Sequence, residues 1–178
     1  YRADFDYPQI PIPCDSTYIE ALGRCQIVVL IDYGKGSLAN IQELIRAASG
    51  KTILVDPKGF DYSKYRGATL IKPNREEMKE LVGGWTTQDE LDFKARQFLL
   101  QSGIESILLT QSEQGLTLYT KDATTHHAAE AKEVIDVSGA GEAALSAFAA
   151  AFAKGVSFGD CAKYAIKASG LAVGHFGT

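Results

Sequence analysis

Three groups of residues in this chain of 178 combine side-chain types and spacings that could handle phosphate. In the first, Asp136-Val137-Ser138-Gly139-Ala140-Gly141-Glu142, two glycines flank an alanine and a carboxylate stands at the start of an alanine-rich, helix-like run. The first backbone N–H groups of a helix lack intrahelical partners and lie at the positive end of its dipole, so they favour an anion. Glycine lets that backbone approach the anion closely. A carboxylate one step on, Glu142, could take the proton of an attacking hydroxyl. In the second group, Asn74-Arg75-Glu76-Glu77, the Asn-x-x-Glu spacing at a predicted helix start reads as a capping box: Asn74 accepts from first-turn amides and Glu77 reaches back. The third group is Asp32-Tyr33-Gly34-Lys35-Gly36 together with Asp56-Pro57-Lys58-Gly59. Each puts a lysine among glycines just past a strand, where it either neutralises a phosphate or is a solvated loop charge.

Holding such groups together requires a frame, and the hydrophobic pattern supplies one. Gln26 to Ile31, Thr52 to Val55, Ala68 to Ile71, Ser106 to Thr110 and Leu116 to Thr120 read as strands. Leu38, Ile41, Leu44, Ile45 and Ala48 recur at helical spacing, and Asn74 to Val82 and Thr87 to Gln101 read as further helices. The second of these opens with the capping-box spacing Thr87-x-x-Glu90 and carries Leu91, Ala95 and Phe98 on its apolar face. Leu145, Phe148, Ala149 and Phe152 form a late helix that stops at Gly155, and Ser157-x-x-Asp160 caps a last one ending near Gly174. Strands alternating with helices imply an α/β fold whose mostly parallel sheet is covered on both faces. Ligands of such sheets bind at the carboxyl ends of the strands. Asp32, Asp56, Lys58, Asn74 and the 139–142 turn all fall at that end.

Composition narrows the function classes. With 46% hydrophobic residues and net charge −4, the chain can build the core of one domain, and its mild acidity argues against nucleic-acid binding. Its longest apolar run, Ile27 to Ile31, is strand-sized, so no membrane span is expected, and no secretory signal is visible. Cys14, Cys25 and Cys161 fit no ligand spacing and read as reduced thiols of a cytoplasmic protein. His126-His127 reads as a polar stretch of strand or loop rather than as metal ligands.

The 136–142 stretch resembles the D-x-T-G-A-G-D signature of ribokinase-like (phosphofructokinase B type) sugar kinases. Further strings in the same order, Asp32 to Gly36, Asp56 to Gly59, Tyr65 to Leu70, Pro73 to Glu77 and Ser112 to Gly115, are similar to those of the subgroup acting on D-glycero-D-manno-heptose 7-phosphate. The likeness runs from about Arg2 to the last residue. It implies a ribokinase-like fold and transfer of phosphate from ATP, with Mg²⁺, to the 1-hydroxyl of a heptose 7-phosphate for lipopolysaccharide precursors. By resemblance, Gly139, Ala140 and Gly141 form the anion hole and Glu142 occupies the position of the base. Asn74 and Glu77 would organise Mg²⁺, a role a cap can share because it fixes the carboxylate. Arg75, Glu76, Thr110, Ser112, Glu113, Gly115, Asp136 and Lys58 would surround the nucleotide, and Asp32 and Lys35 the substrate. Thr110 to Gly115 reads equally as a polar hairpin turn, and the small residues of Ala165 to Gly174 as close packing.

Two departures accompany the likeness. Ser138 stands where the family has Thr, and Glu142 where it has Asp. Glutamate is as basic as aspartate but reaches about 1.5 Å further, so the expectation is ATP binding with slower transfer than in an Asp-bearing relative. The family's first strands and the bulk of its lid have no counterpart here. The chain thus reads as the C-terminal part of a kinase domain, with 1–13 as the end of the lid and a connector and 14–178 as the nucleotide-binding portion. Pairing of two copies through the lid, or an adenylyltransferase domain beyond Thr178, are further implications for a complete protein. A nucleotide-binding module without turnover and a kinase of another sugar are the rival readings.

Overall fold

The computed structural model describes residues 10–129 and 139–173. One sheet holds six strands in chain order: β1 (Ile27–Ile31), β2 (Thr52–Asp56), β3 (Leu70–Ile71), β4 (Ser106–Thr110), β5 (Leu116–Thr120) and β6 (Thr124–His127). β1 to β4 are parallel, and β5 and β6 fold back antiparallel. Helix α1 (Ser16–Gly23) precedes β1, and α2 (Ile41–Ala47) joins β1 to β2. Helices α3 (Arg75–Val82) and α4 (Gln88–Ser102) join β3 to β4, while α5 (Ala140–Ala153) and α6 (Phe158–Val173) follow β6.

Alternation along the strands sorts the core into two layers. Val28, Leu30, Ile53, Val55, Ile71, Ile107 and Leu109 pack under α2, α3 and α4, whose Leu44, Met78, Leu91 and Ala95 are buried against them. Leu54, Leu70, Leu108, Leu116 and Leu118 point the other way, onto Leu145 and Phe148 of α5 and Cys161 and Ala165 of α6. Fully burying one such leucine is worth about 1.5–3 kcal/mol. Because α5 runs back beneath β2 and β1, its first turn reaches the carboxyl ends of β1 to β3.

The expected elements are present, with local differences. Helix α1 is absent from the sequence reading because its apolar pattern is faint, with Leu22 its one buried residue; Asp15 starts it by accepting from the Thr17 and Tyr18 amides. β3 pairs only over Leu70–Ile71 instead of 68–71, and at Thr69 the side-chain Oγ1 accepts the Ile53 N–H (3.0 Å). At α4, Thr87 Oγ1 accepts the Glu90 amide (3.2 Å), but Glu90 reaches back to the Thr86 amide (2.8 Å) rather than to that of Thr87. His126 and His127 lie on β6, as a polar strand. Of the expected connector, Tyr1 to Gln9 lies outside the described residues, and Ile12 is tied to the Ser37 carbonyl (2.8 Å).

Candidate active site

A cleft of about 250 Å³ opens where three parallel strands end. Asp32 and Tyr33 leave β1, Asp56 and Lys58 leave β2, Lys72 and Asn74 leave β3, and Gly139, Gly141 and Glu142 come in with α5. Parallel pairing forces this convergence, since it puts every strand's C-terminal residue on one edge of the sheet.

Gly139 is the N-cap of α5, with φ 75° and ψ −6°, a left-handed conformation that glycine adopts without cost. It has no side chain to cap with, so among the described residues the first-turn amides of α5 are left open. Beneath that turn lies Lys72, 4% exposed, with Nζ 3.1 Å from Asp56 Oδ1. The ammonium sits so close to Gly141 that a Cβ there would lie 2.7 Å from Nζ. Open amides and a buried cation therefore face the same volume. Burial pushes the Asp56 carboxyl up; Lys72 opposes this, and the charges of Glu77 and Glu142 add to it.

On the other wall Asn74 and Glu77 form the expected capping box: Asn74 Oδ1 accepts the Glu77 amide and Glu77 Oε2 accepts the Asn74 amide, both at 2.9 Å. The remaining carboxylate oxygen of Glu77, Oε1, pairs with Lys58 Nζ at 3.1 Å. Glu142 Oε1 accepts a hydrogen bond from the Tyr33 hydroxyl at 2.7 Å. Asp32, 8% exposed, is held from three sides: Oδ1 accepts the Gly34 amide, and Oδ2 accepts from Lys64 Nζ and the Tyr65 hydroxyl, each at 2.8 Å. Desolvation raises its carboxyl, but the hydrogen bonds from Lys64, Gly34 and Tyr65 together outweigh it and leave it below the usual range. Tyr65 also accepts the Lys58 amide (2.8 Å), so Asp32 indirectly fixes the loop that carries Lys58.

The remaining expected residues fall elsewhere. Ala140 is the first residue of α5, between the two glycines. Arg75, Thr110, Ser112, Glu113 and Gly115 form a second group beside the cleft. Thr110 bridges to Asn74, Arg75 Nη1 donates to Gln114 Oε1 (2.8 Å), and Ser112 and Glu113 sit exposed on the turn Ser112–Gln114. Gly115 has a packing reason of its own: φ is 92°, and a Cβ would stand 2.0 Å from the His127 carbonyl oxygen. Glu76 faces outward and pairs with Lys79, and Lys35 is exposed and does not line the cleft. Ala165 is buried against the sheet, as close packing requires, and Asp136 lies outside the described residues.

Tyr33 and Lys72 line the cleft but have no role of their own in the sequence reading. Tyr33 was visible only as part of a string. Lys72 had a sharper signal: a charged residue closes an apolar strand directly ahead of the Asn74 cap, which puts its ammonium at the functional edge of the sheet.

Solved structures share this architecture. A ribokinase of Arabidopsis thaliana, solved with ribose and ATP, superposes with a TM-score of 0.84 at 21% identity, over 95% of this chain and 56% of that one. A D-beta-D-heptose 7-phosphate kinase of Bordetella bronchiseptica is 45% identical over 99% of this chain. A bifunctional protein HldE of Shewanella sediminis is 43% identical over 99% of it. The chain spans 58% and 38% of the length of these two relatives. The pattern of pfkB family carbohydrate kinases matches residues 18–178, nearly the whole chain. By its sequence, the chain belongs to the pfkB family of carbohydrate kinases.

Proposed function

We propose that the complete gene product uses ATP to phosphorylate D-glycero-D-manno-heptose 7-phosphate at its 1-hydroxyl. The observation that carries the reading is the junction of the open α5 turn, buried Lys72 and Glu142 in one cleft. The 45% identity to a relative named for heptose 7-phosphate supports the choice of sugar. Glu142 takes the proton of the sugar hydroxyl as its oxygen attacks the γ-phosphorus, and the bond from that phosphorus to the ADP oxygen breaks. The transition state is loose, with charge on the phosphoryl oxygens, so positioning and charge stabilisation matter most. The amides of Ala140 to Glu142 and the Lys72 ammonium meet that charge, and Lys58 leaves Glu77 for a phosphate.

Among the described residues no three His, Cys, Asp or Glu side chains converge to cage a metal. Mg²⁺ carried on a nucleotide keeps several waters and takes few protein carboxylates. Glu77, fixed by its own cap, would hold it with Asn74 beside it, and the ion would neutralise phosphate oxygens. Arg75, Thr110, Ser112, Glu113 and Gly115 flank the nucleotide in this reading, and Asp32, which lines the cleft, lies on the substrate side. A cytoplasmic location suits the substrates, and no helix among the described residues is long and apolar enough to cross a membrane.

The test is ADP release by the complete gene product with ATP, Mg²⁺ and the heptose 7-phosphate, beside Glu142→Ala. Heptose-dependent turnover that the alanine variant loses establishes sugar and base together. Nucleotide binding without turnover would replace the reading with a non-catalytic module, and turnover only with another sugar would correct the substrate.

A further inference from the structure

The catalytic turn carries glutamate where aspartate is the family pattern, and a longer, freer side chain must be restrained if it is to act as a base. Tyr33 provides the restraint. It is 58% exposed, so its ring is not a core residue, yet its hydroxyl donates to Glu142 Oε1 at 2.7 Å, 109 positions along the chain. The backbone on both sides of it is held through Asp32, by its amide on one side and its buried carboxylate on the other. Asp32 precedes it and continues the ladder through its amide to the Asp56 carbonyl (2.9 Å), while Asp32 Oδ1 accepts the amide of Gly34, which follows it (2.8 Å). Lys64 and Tyr65 then anchor that carboxylate (2.8 Å each). A rigid loop thus delivers a single directional donor to a flexible acid.

We propose that Tyr33 is a positioning residue for Glu142: it holds Oε1 and leaves Oε2 as the oxygen that meets the sugar hydroxyl. The proposal rests on Glu142 being the base. An aspartate at 142 would end about 1.5 Å short, beyond reach of a 2.7 Å bond, so the restraint belongs to the glutamate. The other charged groups around the cleft, Asp56, Lys58, Lys72 and Glu77, have partners of their own and do not replace it. Misplacing a reacting group by about 1 Å can cost on the order of 100-fold, and a hydrogen bond to a charged group at an exposed site somewhat less.

The experiment is a double-mutant cycle on the complete gene product with ATP, Mg²⁺ and heptose 7-phosphate. Tyr33→Phe should lower kcat about tenfold and leave both KM values nearly unchanged, while Tyr33→Phe added to Glu142→Asp should cost nothing further. An equal loss in both backgrounds, or a loss seen in KM alone, overturns the positioning role. Wild-type kcat in Tyr33→Phe beside a dead Glu142→Gln overturns it while sparing the base. Turnover retained by Glu142→Gln removes the base and this proposal together. A readout without turnover is the Tyr33 phenol, which the Glu142 hydrogen bond holds above its ordinary value. Ultraviolet titration, taken as the difference between wild type and Tyr33→Phe, should move down in Glu142→Gln, and an unmoved titration means the bond is not made.

Discussion

Helices α3 and α5 bring their N-termini to the same cleft and finish them in opposite ways. The first turn of α3 is closed by its own side chains, with Asn74 and Glu77 each accepting the other's amide at 2.9 Å. That of α5 begins at a glycine and, among the described residues, has no side-chain cap, with a buried lysine beneath it. The box takes up two of the orphan donors of its turn with the chain's own side chains and fixes a carboxylate in place. An open turn keeps its donors for a ligand. In the proposed reading, one wall of the cleft meets phosphoryl oxygens and the other a hydrated cation.

The strongest way to break this contrast is to remove the cation from the open wall. Lys72→Met keeps the length and burial of the side chain but leaves Asp56 without its partner. We expect kcat to fall by roughly 10²–10³-fold, as for loss of one oxyanion donor. Stability should fall by about 2–4 kcal/mol, because the pair is not fully buried. Adding Asp56→Asn should recover most of the stability, read from urea unfolding, and none of the activity. Gly141→Ala attacks the same wall more gently. Alanine suits a helix better than glycine by about 1 kcal/mol, yet its Cβ would press on the Lys72 ammonium, which Asp56 pins. The variant should unfold no earlier than wild type while losing about 100-fold in kcat; equal activity would mean that Lys72 can move aside freely.

The difference between the walls also marks how far the sequence could be read. Asn74 and Glu77 were legible as a cap because a capping box is local, set by residues three apart. Strands and the major helices were legible through period, as at Leu38 to Ala48. The glycine turn was legible as the start of a helix, since helix starts and glycine have local signatures. What joins the walls was not legible. Lys72 meets Gly141, Tyr33 meets Glu142 and Lys64 meets Asp32 only once parallel strands have been registered, and no spacing announces contacts over 32 to 109 positions. The same limit explains Thr110 to Gly115: the string was visible, but its place beside the cleft depends on β4 turning back into β5. Glycine at 115 answers to the 127–129 backbone as well as to any ligand.

The closed wall gives smaller, separable effects. Glu77→Gln keeps an oxygen for the Asn74 amide, so stability should change by less than about 0.5 kcal/mol. It removes the charge facing Lys58 and the cation, so the Mg²⁺ concentration for half-maximal rate should rise several-fold. Asn74→Ala should do the reverse in kind, costing about 1 kcal/mol of stability through loss of the cap. If Glu77→Gln left the Mg²⁺ dependence untouched, the box would be a cap and nothing more.

The mildest test uses acid, because a turn closed by a carboxylate has a pH dependence that an open glycine turn lacks. Glu90 in the first turn of α4 is held down to about 2 by Lys94 foremost, then by the Thr86 amide and hydroxyl. A depressed carboxyl stabilises the fold above its unfolded value, near pH 4.3, and that contribution is lost as pH falls towards 2. Asp32, also held below the usual range, adds a loss of the same sign in the acid. Tm should therefore drop as pH is lowered from about 5. Glu90→Gln should have the lower Tm at neutral pH, with the gap closing towards pH 2, where wild-type Glu90 becomes protonated as well. A gap that stays constant across that range would assign the stabilisation to packing of the Glu90 side chain rather than to its charge at the helix start.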